Sequence, residues 1–372
     1  MDHALAPPVA AALHAAVAAG ITGYPAFRPG GRLGEAYAGF ARRHFGQEVD
    51  PAQVVPVCDV TAGIRLALDV LSDPGPMVLP TPAYPPQLNV AQVTGRRLVE
   101  VPLSPEAVAA GATLDLDAID RALADGARTV LLTQPHNPLG HVHTRGELER
   151  LRDVVRSHGA RVVSDEIHAP LVLPGAEHVP YLSLAGTADH AVAVAAASKA
   201  FNVAGLRCAQ LVTADAAAHR RLVEVPEVRN DSWSPLGVEA AVAAYTDGDA
   251  WLAALVDRLD AQRTLLGEPL REQLPEARMR PMQATYLAWL DLRAYGHDDP
   301  ASTALAKGRV RIEPGHHFRP GLVGHARLNL ATSPERLTEI VRRLATALTG
   351  QVTPRRPAPP RPAHAASPAG SR

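Results

Sequence analysis

Short apolar runs alternate along the chain with longer stretches whose apolar residues recur every three or four positions. The first pattern predicts strands at 76–80, 97–101, 128–133, 160–164, 191–195 and 208–213. The second predicts helices at 61–72, 84–93, 116–124, 145–157 and 215–223 between them. Strand and helix taking turns in this way predict an α/β fold, a mostly parallel sheet with helices on both faces. Ahead of these units lie an Ala-rich helix over 5–19, turn chemistry from Gly23 to Gly31, and a helix near 33–45. Helical patterns at 234–246 and 249–273 follow the alternating region. A smaller α+β segment comes next, with strands near 284–291, 309–313 and 325–330 and a helix at 334–348. Residues 351–372 carry six prolines and few large apolar side chains, which predicts disorder there.

At 372 residues the chain is long enough for a second core. Net charge is −1, which leaves no electrostatic footprint for nucleic acid or an anionic membrane. Only two cysteines occur, Cys58 and Cys208, with no CxxC, as expected of a reducing compartment. No apolar run reaches membrane-spanning length, and Met1-Asp2-His3 does not open a signal peptide. A cytoplasmic protein is therefore expected. Of its 37 basic residues only Lys199 and Lys307 are lysine. Arginine cannot lose its proton near neutral pH, so a lysine retained in such a background draws attention to its amine.

In an open parallel sheet, ligands sit at the carboxyl ends of the strands. After 128–133 comes Gln134-Pro-His-Asn137-Pro-Leu-Gly140, after 160–164 comes Asp165-Glu-Ile-His168, and after 191–195 comes Ser198-Lys199. An amide, a carboxylate and an amine thus converge on one sheet edge. Pyridoxal phosphate (PLP) needs this set: a carboxylate for its ring nitrogen, a polar group for its ring hydroxyl, and a lysine for a Schiff base. Its phosphate needs backbone N–H groups at a helix start and a guanidinium, which Val60-Thr61 and Arg207 can supply.

Asn137-Pro-Leu-Gly140, Asp165-Glu-Ile-His168 and Ser198-Lys-Ala-Phe-Asn-Val-Ala-Gly-Leu-Arg207 resemble the signatures of fold-type I PLP enzymes of the aminotransferase class I/II superfamily. The stretch from Ser164 to Leu184, with Ser198 to Leu206, is similar to the MalY/PatB-type cystathionine β-lyases. The similarity runs from Met1 to about residue 348. It implies a seven-stranded, mostly parallel sheet in a large domain over 23–265 and a small domain over 266–350. Residues 1–22 would form an arm and 351–372 a disordered tail. Carried over by position, Lys199 holds the cofactor and shuttles protons, Asp165 meets the ring nitrogen, and Asn137 meets the ring hydroxyl. Tyr84 lies on the ring face, with His168 also beside the cofactor; Ser198, Arg207, Val60 and Thr61 hold the phosphate. Arg327 clamps the substrate carboxylate. His317 and Arg319 are expected to face the substrate for a separate reason, that their loop precedes the clamp strand. Tyr24 matches a tyrosine that reaches the phosphate of a partner subunit, which implies a homodimer with shared sites.

The chain departs from the pattern in places. It begins where relatives have an upstream arm, and Phe318-Arg319 stands where Phe-Gly is usual. Asp59, just before the phosphate helix, is unfavourable beside a phosphate unless it points away or pairs with an arginine. His136, His141 and His143 lie in a turn without cysteine or paired acidic partners at ligand spacing, and the side chains of His316 and His317 diverge. Both groups are read as non-metal. The resemblance implies β-elimination from an S-substituted cysteine, cystathionine or a larger conjugate, giving a thiol, pyruvate and ammonia. Aminotransfer, or oxidative or decarboxylative deamination, would use the same residues. A non-catalytic ligand-binding module is disfavoured, because it would normally be fused to a DNA-binding domain.

Overall fold

The computed structural model describes residues 1–25, 31–103 and 114–350; the tail expected to be disordered, 351–372, lies outside them. The chain opens with α1 (Pro7–Ala18) and α2 (Gly31–Phe45). Strands β1 (Val54–Val57), β2 (Met77–Thr81), β3 (Leu98–Pro102), β4 (Thr129–Thr133), β5 (Arg161–Asp165), β6 (Ala191–Ala195) and β7 (Ala209–Val212) form one sheet. Helices α3 (Val60–Leu71), α4 (Pro85–Val93), α5 (Leu116–Ala124), α6 (Arg145–Ser157) and α7 (Ala216–Val223) connect or flank them. Spatial order is β1-β7-β6-β5-β4-β2-β3. Only β7 runs against its neighbours in this sheet.

Alternation along each strand sorts side chains into two cores. Leu131, Val163, Val192 and Val194 pack with α3 on one face. Val130, Leu132 and Val162 pack with Ile119 of α5 and Leu151 of α6 on the other. Two further helices, α8 (Pro235–Asp247) and α9 (Asp249–Gln273), lead to a second sheet. It is wholly antiparallel, in the order β10-β11-β9-β8, from β8 (Arg278–Met279), β9 (Leu287–Asp291), β10 (Glu313–Pro314) and β11 (His325–Asn329). Helices α10 (Pro300–Gly308) and α11 (Pro334–Thr349) complete the described chain.

Several elements differ from the sequence expectation. Strand β1 is not apparent in the apolar pattern because Pro56 interrupts it; an edge position tolerates a proline that offers no N–H. The strand expected over 284–291 begins at Leu287, because Thr285 has φ +72 and breaks the extended run. The strand expected over 309–313 shrinks to Glu313–Pro314, since Arg309 takes φ +53 as the cap of α10. Helix α10 itself escapes the periodicity, although Asp299 caps it through the N–H groups of Ala301 and Ser302.

Helix α3 lies close on the sheet because Gly63 has no side chain. A Cβ there would meet Val194 Cγ1 at 2.8 Å and Val57 Cγ2 at 3.2 Å, both deep in the core. The change Gly63→Ala is expected to lower the urea midpoint. Overpacking of about 1–3 kcal/mol outweighs the helix-propensity gain of about 1 kcal/mol. An unchanged or raised midpoint would show that the contact relaxes freely.

Candidate active site

Parallel β4, β5 and β6 deliver their carboxyl ends to one edge, where a cavity of about 550 Å³ opens. That volume suits a cofactor with a small substrate. Its walls include Asn137, Asp165, His168, Ser198 and Lys199 from those strand ends, with Tyr84 following β2. Val60 and Thr61 from the start of α3, Arg207, and Arg327 of β11 also line it.

Asp165 is 3% exposed. Gln87 Nε2 donates to its Oδ2 at 2.8 Å, and the Ile167 N–H donates to its Oδ1 at 3.2 Å. Thr133 Oγ1 donates to Gln87 Oε1 at 2.9 Å, which fixes the amide so that its NH₂ faces the carboxylate. Burial nevertheless outweighs these bonds and the nearby Lys199, and the Asp165 pKa is pushed up to about 6. Lys199 is held below its ordinary range by burial and then by Arg327, with Asp165 pulling the other way. A buried acid short of a cation and an amine disposed to lose its proton therefore share one chamber.

Arg327 Nη1 donates to Asn137 Oδ1 at 2.8 Å, and its guanidinium lies 4.7 Å from the centre of the Phe318 ring. Strand pairing sets Glu313 directly across from Arg327. His168 is driven down to about 3 by burial, then by Lys199 and Arg327, so it is a neutral ring at any ordinary pH. It meets Tyr286 edge-on with centroids 6.2 Å apart.

At the other end of the cavity Asp59 caps α3, accepting from the Ala62 N–H at 2.7 Å. Its second oxygen, Oδ2, takes Arg207 Nη1 at 2.8 Å. The aspartate is thus accommodated by pairing with arginine, the arrangement under which it is compatible with a phosphate. Arg207 itself adopts the left-handed conformation, φ +54, after the Ala204–Leu206 turn. The α3 N-terminus, the Arg207 guanidinium and Ser198 all line the cavity, and these are group types that can take an anion. The whole donor set fits PLP: an anion cradle, a buried carboxylate that gains from a protonated ring nitrogen, an amide, and an amine.

Three expected residues stand apart from these walls. Tyr24 is fully exposed. His317 turns to Glu313, its Nδ1 2.7 Å from Oε1, and neither it nor Arg319 lines the cavity. Conversely, Gln87, Thr133, Tyr286, Arg311 and Glu313 belong to the site or its support and were not singled out in the sequence. Gln87 had a readable signal, because it sits three residues beyond Tyr84 on the first turn of α4.

The sequence pattern of the aminotransferase class I and II family matches residues 2–344. A curated relative from Mycobacterium leprae is 39% identical across 94% of this chain and 90% of its own length. The cystathionine beta-lyase of Corynebacterium glutamicum is 34% identical over 93% of this chain and 91% of that protein. Among solved structures, the PLP-bound C–S lyase from Staphylococcus hominis superposes with a TM-score of 0.86 at 26% identity, covering 94% of this chain and 89% of that one.

The raised Asp165 pKa has a stability consequence of definite sign. With a folded value of about 6 against the ordinary 3.8, stability is fully present below about pH 4 and is lost as pH rises through about 6. Cofactor-free Asp165→Asn is therefore expected to be more stable than the parent above pH 6, by up to about 3 kcal/mol, with the gap closing near pH 4. Urea titrations of both proteins across this range test it, and a gap that is constant with pH contradicts it.

Proposed function

The chain belongs to the aminotransferase class I and II family, and from that premise we propose a PLP-dependent C–S β-lyase that cleaves an S-substituted cysteine to a thiol, pyruvate and ammonia. The observation that carries this reading is the meeting of Lys199, Asp165, Asn137 and Arg327 in one cavity. Relatives named cystathionine beta-lyase, aligned over nearly the whole chain, support it.

When bound, PLP supplies an electron sink for negative charge at the substrate Cα. In this reading Asp165 holds the proton on the ring nitrogen, Asn137 meets the ring hydroxyl, and Tyr84 covers the ring face. Ser198, Arg207 and the Val60–Thr61 N–H groups take the phosphate, and Lys199 carries the cofactor through its Nζ. Arg327 binds the substrate α-carboxylate as a fork, oriented by Asn137 and supported by Phe318. Once the substrate amine has taken its place on the cofactor, the freed Lys199 Nζ, held toward its neutral form, would remove the Cα proton. The Cβ–S bond then breaks with its electron pair leaving on sulfur, and the released enamine hydrolyses to pyruvate and ammonia. Aminotransfer would use the same groups and differs in where the proton returns.

Purified protein with PLP and cystathionine, or another cysteine thioether, is expected to release thiol and pyruvate in equal amounts. Lys199→Ala should abolish this, and Arg327→Lys should raise KM about tenfold or more through loss of the bidentate contact. Amino-group transfer to a 2-oxo acid without pyruvate formation would instead establish the aminotransferase.

The homodimer belongs to the same proposal. Val17 and Ile21 lie exposed in the segment leading to the fully exposed Tyr24, a surface suited to a second copy of the chain. Mixing inactive Lys199→Ala with a damaged Tyr24→Ala chain should restore activity, because one of the two mixed sites keeps both residues. No recovery on subunit exchange would refute sharing.

A further inference from the structure

The loop between β4 and α6 holds a second polar cluster that C–S cleavage does not use. Thr144 caps α6, and Glu147 folds back on it to close a capping box. The Thr144 N–H and Oγ1 both donate to Glu147 Oε2, at 2.7 and 2.8 Å. That leaves Oε1, which lies 3.6 Å from His141 Nε2. One ligand-capable atom from each of His141, His143 and Glu147 lies within 4.8 Å of the others. A single acidic partner, not the paired set looked for in the sequence, is thus supplied by the helix cap, which corrects the non-metal reading of this turn as the starting point of the proposal below.

We propose that His141, His143 and Glu147 form a binding site for a divalent transition-metal ion, with zinc the best fit. Ligand atoms about 2.0–2.1 Å from tetrahedral zinc stand roughly 3.3–3.4 Å apart, so the His141–Glu147 pair is already near that spacing. Two imidazoles and one carboxylate are a donor set that zinc accepts, with a fourth position left for water. His141 Nε2 is buried and takes no hydrogen bond among the described residues. The supports expected around a metal are also in place. The Thr133 carbonyl bonds the His143 ring, and Thr144 fixes the carboxylate.

His136 stands edge-on to His143, with centroids 6.4 Å apart, and the Arg280 cation feels Glu147 from the β8 side. These neighbours bound the site without entering the ligand set. The same loop carries Asn137, so an ion here would stiffen the wall against which Arg327 rests.

The test uses full-length holoenzyme stripped with a chelator and titrated with zinc alone, in competition with a chromophoric chelator. Cobalt(II) in a parallel titration reports the coordination geometry through its visible bands. The wild type is expected to bind one zinc per chain and to give tetrahedral cobalt bands. Glu147→Gln and His141→Ala should each weaken zinc binding about tenfold or more. Glutamine at this position retains the capping box, so metal-free Glu147→Gln should melt as the wild type does. No zinc bound by the wild type, or undiminished binding in either variant, would overturn the site.

Discussion

Burying Asp165 at the end of β5 is the constraint around which the rest of the site is built. A carboxylate removed from water is costly unless donors and a cation meet it. Gln87, oriented by Thr133, and the Ile167 N–H supply donors, yet burial still prevails and the acid remains hard to ionise. That deficit is what a protonated ring nitrogen would satisfy. The binding energy for such a ring is therefore stored as discomfort in the unliganded protein, in line with the general conflict between stability and function at active sites.

The neighbouring Glu166 shows what a fully satisfied buried acid looks like. Alternation along the strand turns it to the opposite face of the sheet from Asp165. There it accepts from Gln134 Nε2 at 3.0 Å, Ser164 Oγ at 2.9 Å and the Tyr181 N–H at 3.0 Å, and it faces His178 at 3.4 Å. Held mainly by His178 against the cost of burial, it sits below its ordinary range. Two adjacent carboxylates thus receive opposite treatment, one anchored into structure and one left available for chemistry.

The residues legible in the sequence are those whose position follows from one rule, that parallel strands bring their carboxyl ends together. Asn137, Asp165 and Lys199 obey it directly, and each lies where the alternation of strands and helices implied. Gln87 acts from behind Asp165; its spacing from Tyr84 places it on the same helix turn, but does not reveal its grip on the acid. Glu313 meets Arg327 only through antiparallel register across the second sheet, which no local pattern encodes. Strand β1 was hidden by Pro56. Glu147 announces a helix cap in its spacing from Thr144, but not that the cap turns its free oxygen toward two histidines.

Tyr84 and Gln87 share the opening turn of α4, one facing the cavity and the other gripping the acid behind it. They therefore move as parts of a single lever. A tilt of that helix would change the headroom above the ligand and the proton affinity of Asp165 in the same stroke. Shape and charge in this pocket are geared together, and a change far along α4 would be transmitted to both.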